Sequence, residues 1–240
     1  MEFRTVVDIP KPDFRIEPCE EMLFVGSCFA DAIGQRFKEE GFPVTINPYG
    51  TMYNPASVLH TIEKYEGQPH TVFITLGTNH VYRLKETGEI VDNCEKRPQS
   101  LFQEEELSVD ACADYLKRAI AILRQHNPNV RIVLTVSPIR YRKYGYHASQ
   151  LSKATLLLAV NTVVSDFAAD NVAYFPAYEI INDELRDYRF YASDMLHPSE
   201  QAVDYIWEKF CDFALPDSER QTLLDNVKAF RRMQHRPLAR

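Results

Sequence analysis

Short uninterrupted apolar runs alternate along the chain with longer segments that carry apolar residues at helical spacing. Apolar runs without polar alternation are typical of strands that are buried on both faces of a sheet. Five such runs predict strands at Met22–Val25, Phe42–Ile46, Thr71–Leu76, Arg131–Pro138 and Val172–Phe175.

The segments between these runs predict helices and loops. Ile33 and Phe37 lie four residues apart in the first helix, which Gly41 is expected to end. Residues 85–106 are polar and are interpreted as a loop with a hairpin around Thr87 and Gly88, and residues 139–149 as a basic, tyrosine-rich loop. Further helices are predicted over Ser57–Tyr65, Asp110–His126, residues 149–169, Ser199–Phe213 and Gln221–Met233.

This alternation predicts an α/β fold, with a three-layer α/β/α arrangement around a mostly parallel sheet. Residues 1–215 are interpreted as one domain with an extended N-terminal lead-in, and residues 216–240 as a C-terminal helical tail. Ligands of such sheets bind at the carboxyl ends of the strands. We therefore expect Ser27, Asn79, the loop of residues 139–149 and the loop of residues 194–197 to project at one edge.

Composition narrows the functional classes. The 240 residues are 45% hydrophobic and 25% charged, with a formal net charge of −7, which disfavours a nucleic-acid partner. The five cysteines form no C-x-x-C pair, which fits reduced thiols in a cytoplasm. The chain shows no apolar leader and no 18-residue apolar stretch, so we expect a cytoplasmic protein without a membrane partner.

Two distant stretches carry groups suited to nucleophilic catalysis. Gly26-Ser27-Cys28-Phe29-Ala30 follows the first strand, and Asp194-Met-Leu-His197 places a carboxylate three residues before an imidazole. A serine hydroxyl becomes a nucleophile when a neighbouring base takes its proton, and an imidazole titrates near neutral pH. Each motif alone also fits ordinary turn and cap chemistry. Together they predict a triad of Ser27, His197 and Asp194.

A tetrahedral intermediate also needs hydrogen-bond donors for its oxyanion. The predicted set consists of the backbone N–H groups of Ser27 and Gly50 and the side-chain amide of Asn79. Asn79 follows a predicted strand, whereas Gly50 is assigned from its place in the turn-rich loop Asn47–Pro55.

These residues resemble the GSCFA family, which is named after the five-residue string at 26–30, within the SGNH (GDSL-like) hydrolases. Ser27, Gly50, Asn79 and His197 match the superfamily's nucleophile, two oxyanion donors and base in order, and Asp194 falls in the D-x-x-H position. The resemblance covers most of residues 20–210. It implies a flavodoxin-like sheet and serine-dependent ester hydrolysis, with no metal or organic cofactor.

The chain departs from the SGNH pattern at two points. Gly26 stands directly before Ser27 where Gly-Asp-Ser is usual, and residue 141 is Tyr where a histidine is expected after Ser-Pro-x-Arg. Cys28 is an alternative nucleophile, although a small buried cysteine is the more common role. His80, Arg140 and Tyr141 are candidate substrate-binding residues. Arg140, Arg142 and Lys143 also suit an anionic group on the substrate, or form a solvated loop.

The sequence therefore predicts a serine esterase that cleaves an O-acyl ester, with O-acetyl favoured, on a small molecule or glycan. The carbohydrate part of this prediction rests on the superfamily alone. An acyltransferase with the same triad, and a binding module that keeps the fold without catalysis, remain alternatives. The absence of G-x-x-x-x-G-K-[ST] and G-x-G-x-x-G strings disfavours a nucleotide-binding domain. Nothing in the sequence indicates an oligomeric state.

Overall fold

Five parallel strands form the central sheet of the computed structural model, which describes residues 3–17, 20–94, 96–167 and 170–216. In chain order, the strands and helices are β1 (Met22–Gly26), α1 (Cys28–Glu39), β2 (Val44–Ile46), α2 (Pro55–Lys64), β3 (Thr71–Leu76), β4 (His80–Leu84), β5 (Ile90–Val91), β6 (Phe102–Glu106), α3 (Val109–His126), β7 (Arg131–Val136), α4 (Gly145–Asp166), β8 (Val172–Tyr174), α5 (Ala177–Glu179) and α6 (Glu200–Ala214). A π-helical turn, Ile180–Leu185, continues α5.

The central sheet has the order β2-β1-β3-β7-β8, and all four pairings are parallel. This is the order of a flavodoxin-like doubly wound sheet, in which the chain changes direction between β1 and β3. The predicted α/β fold with a mostly parallel sheet is confirmed. The crevice at the carboxyl ends of β1 and β3 is the place where such folds bind ligands.

Helices cover both faces of the sheet. Successive residues of a strand point to opposite faces, so Leu23 and Val25 join the core beneath α2, α3 and α4, while Met22 and Phe24 join the core beneath α1 and α6. Phe210 of α6 packs against four phenylalanine rings, with centroid distances of 5.0–5.8 Å. This packing fixes α6, and with it the turn of residues 194–197 that precedes the helix.

Two loop predictions need correction. The segment 85–106 was expected to be a loop, but β4 pairs with both β5 and β6 in a separate antiparallel sheet. The hairpin at Thr87–Gly88 is confirmed, with Leu84 N donating to Glu89 O at 2.8 Å. β6 escaped detection because its sequence, Phe-Gln-Glu-Glu-Glu, is mostly solvent-exposed and lacks an apolar repeat.

The predicted loop of residues 139–149 is shorter than expected. A 3-10 turn covers Arg142–Tyr144, and α4 begins at Gly145, four residues before the predicted start. The first turn of α4 carries the exposed residues Tyr146 and His147, so no apolar spacing marks it in the sequence. The predicted helix Gln221–Met233 lies outside the described residues. Among the helices that the structure does describe, none combines the length and apolar character needed to cross a bilayer.

Candidate active site

The ends of three parallel strands form the edge on which the predicted site residues lie. Ser27 follows β1, residues 77–79 follow β3, and residues 137–141 follow β7. The loop of residues 47–54, between β2 and α2, is hydrogen-bonded to this edge. Gly77 N and Thr78 N both donate to Tyr53 O, at 2.8 and 2.9 Å. The edge is thus a continuous surface of strand ends and loops.

Gly26 allows β1 to turn sharply into α1. Residues other than glycine rarely adopt its φ of +136°. A Cβ at this position would also lie 2.0 Å from the carbonyl oxygen of Thr75. Ser27 follows as the N-cap of α1, and its Oγ accepts a hydrogen bond from Phe29 N at 3.3 Å. Ser27 therefore caps α1, as the alternative interpretation of this motif expects, and any catalytic role would be additional.

The hydroxyl of Ser27 points toward the neighbouring strand end. Its Oγ lies 2.9 Å from Thr75 Oγ1, and Ser27 itself is 1% exposed. The hydrogen bonds of this hydroxyl go to Thr75 and Phe29, so in this structure Ser27 is not hydrogen-bonded to His197.

Asp194 and His197 form a hydrogen-bonded pair within one tight turn. Asp194 Oδ2 lies 2.5 Å from His197 Nδ1, while Asp194 Oδ1 accepts from the backbone N–H groups of Leu196 (2.9 Å) and His197 (3.0 Å). The backbone N–H groups of His197 and Leu196, followed by the imidazole, lower the pKa of Asp194 to about 2. The carboxylate is thus ionised at neutral pH, which assigns the Nδ1 proton to the hydrogen bond and leaves Nε2 as the free ring nitrogen.

Arg140 attaches this turn to the end of β7. Its backbone N–H donates to Leu196 O at 3.0 Å, and its guanidinium donates to Met195 O at 3.2 Å. The guanidinium also lies over the rings of Tyr146 and Tyr191, at 4.3 and 5.3 Å from the centroids. The structure therefore places Arg140 as a support for the turn that carries the Asp194–His197 pair.

One cavity of about 460 Å³ joins the two distant stretches of the chain. Its lining includes both Cys28, the residue next to Ser27, and His197. The complete lining consists of Cys28, Tyr53, Ile139, Arg140, Tyr141, Arg142, Lys143, Leu196 and His197. The first turn of α1 and the Asp194–His197 turn thus face the same space.

Cys28 is poorly suited to act as the nucleophile. Burial, with smaller contributions from the charges of Asp31 and Asp194, raises the pKa of the Cys28 thiol to about 11. The thiolate is the reactive form of cysteine, and such a pKa leaves very little of it at neutral pH.

The three predicted oxyanion donors all have acceptors within the protein. Ser27 N donates to Thr75 O at 3.1 Å, Gly50 N to Asn47 O at 2.9 Å, and Asn79 Nδ2 to Leu107 O at 2.8 Å. Asn79 is buried, and its amide carries a second hydrogen in addition to the one bound by Leu107. Gly50 is exposed, and its N–H is directed to Asn47 O within its own turn, while Met52 N of the same loop donates to Gly26 O at 2.9 Å.

The backbone N–H of Cys28 is a further candidate donor that the sequence analysis missed. Cys28 is the first residue of α1, where N–H groups have no partner within the helix. Such groups attract negative charge, and the residue after a nucleophilic serine often supplies an oxyanion donor. Its position directly after Ser27 was the signal in the sequence.

His80 and Tyr141 occupy different surroundings. Tyr141 lines the cavity, and its backbone N–H donates to Ser149 Oγ at 3.2 Å. His80 does not line the cavity, and its ring stacks on Tyr144 with centroids 3.8 Å apart. Burial lowers the pKa of His80, against the opposing charges of Glu106 and Glu104. The structure therefore brings Tyr141, but not His80, together with His197.

Buried polar residues of α4 support the edge from beneath, and the sequence analysis missed them. Ser152 Oγ accepts from Asn79 N at 3.0 Å, and Lys153 Nζ donates to Ser137 O at 2.8 Å. Burial lowers the pKa of Lys153 to about 7. Ser149, Ser152 and Lys153 recur at helical spacing on an otherwise apolar face, which was the available signal.

Comparison with known proteins identifies the family. The profile of the GSCFA family matches residues 21–70 and 67–210 of the chain. The chain belongs to the GSCFA family. No match was found among curated protein sequences.

Solved structures of esterases and lipases share the fold. A protein assigned as a GDSL-like lipase from Parabacteroides merdae superposes with a TM-score of 0.54 at 13% identity, covering 85% of this chain and all of its own (100%). An acetyl esterase mutant solved with an acetate ion gives a TM-score of 0.50 at 13% identity, covering 88% and 99%. A family two carbohydrate esterase from Clostridium thermocellum gives 0.50 at 12% identity, covering 82% of this chain and 64% of that enzyme.

Proposed function

We propose that this protein is a serine esterase in which Ser27 is the nucleophile, His197 the general base and Asp194 the residue that orients His197. The observation that carries the proposal is the shared cavity, which is lined by Cys28 beside Ser27 and by a histidine held through Nδ1 by an ionised carboxylate. The GDSL-like and acetyl esterase neighbours support this class through their fold.

The reaction begins with a rotation of the Ser27 side chain. The hydroxyl leaves Thr75 and turns toward the cavity, where His197 Nε2 takes its proton as Oγ attacks the ester carbonyl. The tetrahedral intermediate collapses, the C–O bond to the alcohol breaks, and the alcohol leaves with the proton from His197. Water, deprotonated by His197, then attacks the acyl-enzyme and releases the carboxylic acid and free Ser27.

The oxyanion of the intermediate needs donors on the opposite side of the carbonyl from His197. We assign this role to the N–H of Cys28 and the second amide hydrogen of Asn79. The Ser27 and Gly50 N–H groups join them only if they release Thr75 O and Asn47 O. Loss of a single oxyanion donor typically lowers turnover by about 10²–10³-fold.

The proposed substrate is an O-acetyl ester of a carbohydrate-like alcohol. An acetyl esterase and a carbohydrate esterase among the structural neighbours support this choice. The cavity adds Tyr53 and Tyr141, whose rings offer flat, partly polar surfaces for a ring-shaped alcohol.

The direct test is labelling with a fluorophosphonate, which reacts with activated serine hydroxyls. We expect labelling of the wild-type protein at Ser27, loss of labelling in Ser27→Ala, and at least a 100-fold slower reaction in His197→Ala. Cys28→Ala is the matched control, because it changes the neighbouring residue and should label at a rate close to the wild type. No labelling of the folded wild-type protein, or labelling lost in the control alone, would contradict the proposal.

A further inference from the structure

The charges that line the active-site cavity are of one sign. Arg140, Arg142 and Lys143 all face it, and no aspartate or glutamate is part of the lining. This contrasts with the whole chain, whose formal net charge is −7. A concave site lined by cations concentrates a positive potential and favours negatively charged ligands.

Two of these cations already have structural partners. The guanidinium of Arg140 donates to Met195 O and stacks on two tyrosine rings, so it supports the turn of residues 194–197. Lys143 Nζ lies 3.3 Å from Glu104 Oε1 and 3.1 Å from Tyr144 Oη. Neither side chain is free to bind a substrate group without losing these contacts.

Arg142 differs from both. It opens the 3-10 turn Arg142–Tyr144, it is exposed, and among the residues that the structure describes no acceptor, carboxylate or aromatic ring pairs with its guanidinium. A guanidinium presents five N–H donors in a planar fork that matches the two oxygens of a carboxylate. Within the described part of the chain, Arg142 is thus the cation of this cavity whose guanidinium has no hydrogen-bonding or ionic partner.

We propose that the alcohol part of the substrate carries a carboxylate, and that Arg142 binds this carboxylate while the ester lies between Ser27 and His197. The proposal rests on the proposed function and narrows its substrate class to acetyl esters of acidic alcohols. Tyr141, next to Arg142 in the chain, completes the wall along which the alcohol would lie.

The test compares two neutral–anionic pairs of acetyl esters, 3- and 4-acetoxybenzoate against the corresponding acetoxybenzamides. For wild-type enzyme, we expect a higher kcat/KM for at least one benzoate than for its benzamide. Arg142→Gln should raise KM for that benzoate about 10-fold and leave the benzamide within about 2-fold. Intrinsic differences in ester reactivity cancel when each substrate is compared between wild type and variant.

Two controls make the result specific. Arg118→Gln removes an equal charge from a surface arginine that lies outside this cavity, and should change neither KM. Arg142→Lys keeps the charge and should recover part of the benzoate preference. Equal effects of Arg142→Gln on both members of each pair, or a labelled wild-type enzyme without preference for either benzoate, would overturn the proposal. Absent fluorophosphonate labelling would instead reject the esterase function itself.

Discussion

Ser27 and Thr75 are joined by a hydrogen bond of 2.9 Å between their hydroxyl oxygens, across the neighbouring ends of β1 and β3. The bond turns the proposed nucleophile toward the sheet. In the proposed mechanism, the Ser27 hydroxyl must therefore leave its buried contact with Thr75, and the longer one with Phe29 N, before it can reach His197.

Removing the Thr75 hydroxyl should make Ser27 more reactive. A typical hydrogen bond contributes about 0.5–1.5 kcal/mol, so Thr75→Val is expected to increase the rate of fluorophosphonate labelling by about 2- to 10-fold. The rate is measured by quenching the labelling reaction at successive times and quantifying the adduct by intact-protein mass spectrometry. If Thr75→Val instead slows labelling more than 10-fold while the fold is retained, Thr75 assists the reaction and does not restrain it.

Replacing Asp194 with Asn should reduce turnover far more than binding. An asparagine oxygen can still accept the N–H groups of Leu196 and His197, but its amide nitrogen cannot accept the Nδ1 proton, so the imidazole shifts to the wrong tautomer. We expect kcat to fall about 10²–10⁴-fold with KM within about 3-fold. Steady-state kinetics on an aryl acetate give both values. A variant with unchanged kcat would show that the Asp194–His197 pair is structural only.

Gly26 should tolerate substitution less well than another glycine with positive φ. Gly26→Ala places a methyl group against Thr75 O in addition to backbone strain, whereas Gly41→Ala, at φ +83°, meets nothing within 4 Å. We expect Gly41→Ala to lower the free energy of unfolding by about 1–2 kcal/mol and Gly26→Ala by more than about 3 kcal/mol, or to prevent folding. Urea unfolding of both variants checks this, and equal losses would contradict the close approach of β1 and β3 at Gly26.

Lys153 should make stability depend on pH. Burial lowers its pKa from 10.5 to about 7, so between these values the unfolded chain binds a proton that the native protein does not. The free energy of unfolding of wild type should therefore rise with pH from about 7 to 10, by up to about 1.4 kcal/mol per pH unit from this residue.

Lys153→Met should remove that contribution. The difference in free energy of unfolding, variant minus wild type, should be most favourable to the variant near pH 7 and should fall toward pH 10. Loss of the hydrogen bond to Ser137 O lowers the variant's stability by the same amount at every pH. Urea unfolding at each pH measures the difference, with Lys38→Met at an exposed site as the control. A difference that does not vary with pH in Lys153→Met would show that Lys153 keeps its proton.

The main sheet could be predicted because its strands correspond to largely apolar runs in the sequence. Thr71–Leu76 is predicted with the observed bounds, and β1 differs by one residue. β6 could not be predicted, because its three glutamates are held by cross-strand contacts such as the 2.9 Å ion pair of Glu105 with Arg83. Such pairing depends on which strands become neighbours in the fold, and the local pattern of residues carries no information about this.

In the candidate site, too, local features could be predicted and contacts between distant segments could not. The D-x-x-H spacing and the position of Ser27 after a strand indicated the proposed reacting groups, since both are local features. The supporting contacts were hidden, because Arg140 reaches across 55 residues to Met195, and Thr75 lies 48 residues from Ser27. Predicting such support requires the strand order, which places these segments side by side only after folding.

In the proposed mechanism, Ser27 leaves Thr75 and is activated by His197. A crystal structure of the fluorophosphonate adduct tests it most directly. We expect phosphorus bound to Ser27 Oγ, a broken Ser27–Thr75 hydroxyl contact, and His197 Nε2 within about 2.6–3.2 Å of Oγ or of an adduct oxygen. An adduct on Cys28, or on Ser27 with His197 turned out of reach, would contradict it.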